Sequence, residues 1–187
     1  MYKISTLNKI SPVGLARFTD AYEIVDGANG IDGSSGVLVR SQAMHDMQFD
    51  ESLLAIARAG AGVNNIPLES CADQGIVVFN TPGANANAVK ELIIGALVLA
   101  ARNLDKAIAW TNAFAGKESD NIGKEVEKGK SKFAGTELKG KTISVFGLGA
   151  IGILVCNAAS DLGMDVIGYD PYLGVHSALR LNASVKI

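Results

Sequence analysis

Apolar residues in the first part of the chain come in short bursts, each closed by glycine, proline or asparagine. Residues 2–7, 22–25, 37–39, 54–57 and 76–79 are apolar or β-branched over strand-like lengths, and each predicts a strand. The segments between them are punctuated differently. Residues 12–18 open with Pro12, which suits a first helical position. Residues 49–53 predict a helical turn, and 67–74 a short helix stopped by Gly75. Residues 27–36 hold Gly27, Gly30, Gly33 and Gly36 and predict a loop. Short strands alternating with short helices predict a flavodoxin-like parallel sheet over residues 1–84.

The pattern then changes. Residues 88–115 predict one long helix, capped by Asn85 or Asn87. Its first half is apolar on almost every side, so it is expected to be buried all round. Burial against this chain's own sheet is one solution. Burial against a second copy is the preferred one, and predicts a homodimer through helix 88–115. Residues 116–132 are polar and charged and predict a solvated loop with a short helical piece near 124–128. Residues 142–146, 151–162 and 166–169 predict strand, helix and strand, so residues 85–187 are expected to form the first part of a Rossmann domain.

The chemistry concentrates in that last unit. Gly147, Gly149 and Gly152 form G-x-G-x-x-G between strand and helix. The first glycine permits a tight turn, the second lets backbone approach a pyrophosphate, and the third lets helix pack closely on strand. The N-terminus of the helix expected from Ile151 supplies unpaired N–H groups and a partial positive charge. Asp170 closes the second strand, where an acid accepts hydrogen bonds from a ribose 2′-hydroxyl. A 2′-phosphate ~4 Å from that carboxylate, at an effective dielectric of ~20, would be repelled by roughly 4 kcal/mol per charge pair. NAD is therefore expected over NADP. In the earlier unit, Arg40 and Ser41 follow a predicted strand at its carboxyl end, where open α/β sheets place ligands. The alternative for Arg40 is a surface charge paired to an acid.

Charge and composition narrow the classes. With 17 basic and 19 acidic residues the formal net charge is −2, and no basic patch calls for nucleic acid. The longest apolar run, 92–101, is too short to span a bilayer. Cys71 and Cys156 have neither metal nor CxxC spacing and are expected as buried small apolar residues in a reducing compartment. The chain has no apolar signal-peptide region after Met1, so a cytoplasmic protein is expected.

Several blocks point one way in order and spacing: Val39-Arg40-Ser41, Arg58-Ala-Gly-Ala-Gly-Val-Asn-Asn65, Asn80-Thr-Pro82, Lys90-Glu91, the segment 135–141, and Gly147 to Gly152 with Tyr169-Asp-Pro171. Together they resemble the D-isomer-specific 2-hydroxyacid dehydrogenases over essentially the whole chain. The resemblance implies hydride transfer between NAD and a small 2-hydroxy or 2-oxo acid, held between a substrate domain and a nucleotide domain. It implies Arg40 and Ser41 at the substrate, a backbone nest at Gly60, Ala61 and Gly62 for its carboxylate, and the backbone of Ala150 and Ile151 at the cofactor. Ala61 stands where some relatives carry threonine. The family's catalytic arginine, glutamate and histidine lie in the later part of the nucleotide domain. The two histidines here, His45 and His176, match neither position nor pattern. The chain is therefore expected to be the amino-terminal part of a dehydrogenase, with an open sheet edge and no useful turnover alone. A non-catalytic NAD-binding module, like the corepressors that share this fold, is the competing expectation.

Overall fold

The computed structural model describes residues 1–116 and 121–187. It divides into two compact units, Met1–Asn85 and Ala86–Ile187.

The amino-terminal unit is built on five parallel strands: β1 (Tyr2–Leu7), β2 (Tyr22–Asp26), β3 (Gly36–Val39), β4 (Ala55–Arg58) and β5 (Val77–Phe79). Their order is β2-β1-β3-β4-β5, the flavodoxin-like order, which reverses direction between β1 and β3. Helices α1 (Pro12–Leu15) and α2 (Leu68–Asp73) are single short pieces. Gly75 ends the α2 segment at φ 72°, a conformation glycine adopts without penalty. The core gathers Leu7, Val37, Val39, Met44, Leu53, Ile56, Ile66, Cys71 and Ile76. Val37 and Val39 on central β3 are almost fully buried, and such side chains each contribute about 1.5–3 kcal/mol relative to exposure.

Several local expectations shift here. The predicted fourth and fifth strands each start one residue later, at Ala55 and Val77, and the helix expected over 12–18 ends at Leu15. No helix forms over 49–53; a turn instead drops Leu53 into the core. That turn is fixed by Asp50, whose carboxylate accepts from the Gly33 amide at 2.7 Å and from the amide of Ser52 at 2.9 Å, and also binds the Ser52 hydroxyl. Asp and Ser thus satisfy the backbone locally and compete with helix. These bonds, Gly33 first and then Ser52, hold the Asp50 carboxyl below its ordinary value. A depressed folded-state pKa stabilises the fold above the unfolded value and is lost as pH falls through the folded one. Asp50→Ala is therefore expected to lower the melting temperature near neutrality and to leave it unaltered in strong acid. Thermal melts from pH 7 to pH 2 on both proteins check this, and parallel curves would remove Asp50 from the account.

The carboxy-terminal unit opens with α3 (Ala86–Ala101) and α4 (Leu104–Asn112). The single helix expected over 88–115 is thus two. Asn103 sits between them in the left-handed region at φ 52°, which breaks the helix without glycine or proline. Of the two cap candidates, Asn85 directly precedes the helix start at Ala86, while Asn87 lies inside the helix and donates from its side-chain amide to Glu91 at 2.8 Å. Nor is α3 buried all round in this chain: Leu92 is 72% and Leu99 43% exposed.

Helix α5 (Ile122–Gly129) forms within the polar segment, and residues 117–120 of the predicted solvated loop lie outside the described residues. Gly129 lies against Trp110, and a Cβ there would come within 2.3 Å of the indole ring.

Strands β6 (Thr142–Phe146) and β7 (Asp165–Tyr169) pair in parallel around α6 (Ala150–Asp161), and α7 (Val175–Ala178) follows. Ile143, Val145 and Val166 point to the α6 side, where Ile153, Cys156 and Ala159 are buried. The outer edge of β7 is not fully open: Gly168 donates to the Lys186 carbonyl at 2.7 Å, and Lys186 donates to the Val166 carbonyl at 3.0 Å. Both cysteines are buried free thiols whose pKa burial raises. Among the described residues no helix is long and apolar enough to cross a membrane.

Candidate binding sites

In the amino-terminal unit, a cleft of about 380 Å³ opens at the carboxyl ends of the strands, where the sheet order reverses. Lys9, Ser11, Arg40, Gly60, Thr81 and Asn85 are among its lining residues. Arg40 is exposed and forms no ion pair among the described residues, so its charge is open to a ligand rather than matched to an acid. Its main chain is held firmly. Arg58 Nε donates to the Arg40 carbonyl at 3.0 Å, and Asn65 Nδ2 donates to the Gln42 carbonyl at 2.8 Å. The side-chain carbonyl of Asn8 accepts from both the Ser41 and Gln42 amides, each at 2.8 Å. The Ser41 amide is therefore already engaged, which leaves its hydroxyl for a ligand.

The loop after β4 wraps the Arg58 guanidinium. Arg58 Nη1 also donates to the Gly62 carbonyl, and a Cβ on Gly60 or Gly62 would lie 3.1 or 3.2 Å from Nη1. The glycines serve this close approach. The expected backbone nest is only partly free: Gly60 N–H donates to the Arg58 carbonyl at 2.9 Å. The Ala61 and Gly62 amides bond to no described residue. The loop is further tied by Asn80 Nδ2 to the Ala61 carbonyl at 2.6 Å and by the Thr81 amide to the Gly60 carbonyl at 2.9 Å. Of the expected site residues, Arg40 and Gly60 line the cleft, whereas Ser41, Ala61 and Gly62 are not among its lining residues; the charges of Lys9 and Arg40 at the strand ends suit a small anion such as a carboxylate or phosphate.

In the carboxy-terminal unit, the three motif glycines have three separate reasons. Gly147 adopts φ 93°, so the turn itself requires it. A Cβ on Gly152 would sit 1.9 Å from the Gly147 carbonyl oxygen, so the helix could not pack on the turn. Gly149 differs: its φ of −80° suits any residue, and a Cβ there meets no heavy atom within 4 Å. Nothing inside the protein demands glycine at that position. The space above it is open beside the uncapped start of α6, where Ala150 and Ile151 occupy the first two helical positions and the Ile153 amide bonds back to Gly149. Unpaired amides and the helix dipole make that start suited to an anion.

Asp170 lies at the end of β7. Its Oδ2 accepts from the Leu148 amide at 2.8 Å and its Oδ1 from the Tyr172 amide at 2.9 Å. Each oxygen keeps lone-pair capacity for a sugar hydroxyl. Proton-transfer chemistry is less developed. His45 Nε2 is 2.9 Å from the Asn64 carbonyl, and His176 is exposed on α7. Neither pairs with an acid among the described residues. Among those residues no group of histidine, cysteine and acidic side chains is arranged to hold a metal. Asn8, Arg58, Asn65 and the Leu148 amide carried no individual signal in the sequence. Asn8 and Arg58 fall at strand ends, and Arg58 and Asn65 bound one of the blocks that carry the resemblance.

The profile of the family described as D-isomer specific 2-hydroxyacid dehydrogenase, catalytic domain, matches residues 16–163. The D-3-phosphoglycerate dehydrogenase of Methanocaldococcus jannaschii is 42% identical over 123 residues, 66% of this chain and 21% of the relative. That of Mycobacterium tuberculosis is 30% identical over 185 residues, 93% of this chain and 33% of the relative. The chain thus spans between 21% and 33% of the length of these curated relatives. Among solved structures, the NAD+-bound 3-phosphoglycerate dehydrogenase of Entamoeba histolytica superposes with a TM-score of 0.63 at 28% identity, covering 94% of this chain and 56% of that one. The TT0316 protein of Thermus thermophilus superposes with a TM-score of 0.75 at 21% identity, covering 92% and 57%, a likeness of fold.

Proposed function

The chain belongs to the D-isomer specific 2-hydroxyacid dehydrogenase family, and on that basis we propose that it binds NAD on its carboxy-terminal unit and a D-2-hydroxy or 2-oxo acid on its amino-terminal unit. The observation that carries the cofactor half is Gly149, a glycine whose absent side chain leaves room for no part of the protein itself. The amides of Ala150 and Ile151 meet the pyrophosphate, and Asp170 accepts from the adenosine ribose and disfavours a 2′-phosphate. NAD held there would supply the hydride acceptor or donor for the second carbon of the acid. The chain's own part is to bind and orient. Arg40 and the Ser41 hydroxyl hold the acid's distal anionic group, and the Ala61 and Gly62 amides hold its carboxylate.

Within the family we assign the phosphoglycerate branch, the oxidation of 3-phosphoglycerate to 3-phosphohydroxypyruvate in serine biosynthesis. The identity to D-3-phosphoglycerate dehydrogenases and the presence of both Lys9 and Arg40, the latter in no ion pair among the described residues, in the lining of one cleft support it. We further infer a homodimer whose contact includes α3, because Leu92 and Leu99 stand exposed on an otherwise apolar helix. Two buried unpaired thiols support a cytoplasmic setting.

Calorimetric titration of the 187-residue protein tests the assignment. NAD is expected to bind at least tenfold more tightly than NADP, with 3-phosphoglycerate binding favoured over D-glycerate. Neither histidine pairs with an acid among the described residues, and the same polypeptide is expected to bind without measurable NADH production. Equal or absent binding of both dinucleotides would remove the cofactor assignment.

A further inference from the structure

Resting on the NAD assignment above, we propose that Asp170 has a second task, shaping the glycine turn. Cofactor choice and turn geometry would then be governed by one carboxylate. The middle residue of the first G-x-G, Leu148, is pinned from two directions. Its side chain is 1% exposed and lies against Gly168, where a Cβ would come within 2.9 Å of Leu148 Cδ2. Its amide donates to Asp170 Oδ2 at 2.8 Å, and it has no other acceptor among the described residues. Its neighbour Gly147 donates to the Tyr169 carbonyl at 2.8 Å, so both bonds join the turn to the end of β7. Asp170 is itself held in place by the Tyr172 amide at its other oxygen. The carboxylate therefore sits between the turn and the loop after β7 before any sugar arrives.

The consequence concerns specificity. Exchanging Asp170 for a small neutral residue is the obvious way to admit a 2′-phosphate. Here it also strips the acceptor from the Leu148 amide, one residue before Gly149 and the helix start that meets the pyrophosphate. A partly buried amide that loses a charged acceptor regains no partner from the protein. The turn then samples other shapes, and both dinucleotides bind less well. Asp170 acts here as a positioning residue, through the backbone of Leu148.

The test uses the complete chain and three proteins: wild type, Asp170→Asn and Asp170→Ala. Hydrogen exchange at the Leu148 amide is followed by NMR without cofactor. The amides of Val155 and Cys156 in the body of α6 serve as internal references. Exchange at Leu148 is expected to accelerate roughly tenfold or more in Asp170→Ala and by less in Asp170→Asn, which keeps one acceptor oxygen, while the references hold steady. Calorimetry is expected to show NAD and NADP both weakened about tenfold or more by the alanine. Unchanged Leu148 exchange in Asp170→Ala, or a clean trade of NAD for NADP at equal affinity, would overturn the proposal. A wild-type chain that binds neither dinucleotide would instead defeat the cofactor assignment, while exchange in the free protein would still decide the role of Asp170 in the turn.

Discussion

Gly149→Val is expected to fold and melt like the wild type yet lose NAD, whereas Gly152→Ala is expected to damage the fold itself. The contrast follows from what each missing side chain would meet. At Gly152 a Cβ would lie 1.9 Å from the Gly147 carbonyl oxygen. The obstacle is backbone, so no side chain can swing aside. Either the turn or the first coil of α6 must move. Overpacking of this kind typically costs about 1–3 kcal/mol, and a backbone obstacle belongs at the upper end. For a unit of this size, about 3 kcal/mol corresponds to a fall in melting temperature of roughly ten degrees or more. At Gly149 the backbone angles are ordinary and nothing lies within 4 Å. Valine there is expected to occupy the open space proposed for the pyrophosphate. Scanning calorimetry and NAD titration on both variants separate the two cases. A Gly149→Val protein with wild-type affinity would show that the dinucleotide lies elsewhere.

The second large effect is expected at Arg40. Arg40→Ala should weaken 3-phosphoglycerate roughly tenfold to a hundredfold, the range of one or two charge-assisted hydrogen bonds, and D-glycerate far less. The side chain can be removed without loosening the loop, because that loop is held through its backbone by Asn8, Arg58 and Asn65. Titration of the two acids against wild type and variant gives the comparison. Equal losses for both acids would assign Arg40 a general electrostatic part and take away its preference for phosphate.

The strands were legible because their residues are buried on a parallel sheet, which selects short β-branched runs, and because glycines end them. Their edges drifted by a residue, as at Ala55, since the pattern does not say where pairing begins. The break at Asn103 left no trace. Asparagine is unremarkable at a helix surface, and only its backbone angles reveal the left-handed step. Similarly, the turn at Asp50 looked helical because its bond to Gly33 spans 17 positions. The site followed the same division. Gly147, Gly149, Gly152 and Asp170 sit within one local motif and could be read directly. Asn8 and Arg58 could not, because each reaches a loop many positions away: Asn8 meets Ser41 across 33 residues, and Arg58 meets Arg40 across 18. Gly60 was misjudged as a free donor for a related reason, since its amide folds back on Arg58.

The grip of Asn8 on two successive amides has a mechanical outcome. With the ends of β1 and β3 riveted together by one side-chain oxygen, that jaw of the mouth cannot gape. Because Asn65 also clasps this segment from the stretch after β4, a bulkier acid would be accommodated by exchanging cleft side chains such as Lys9 or Arg40 rather than by parting the loops.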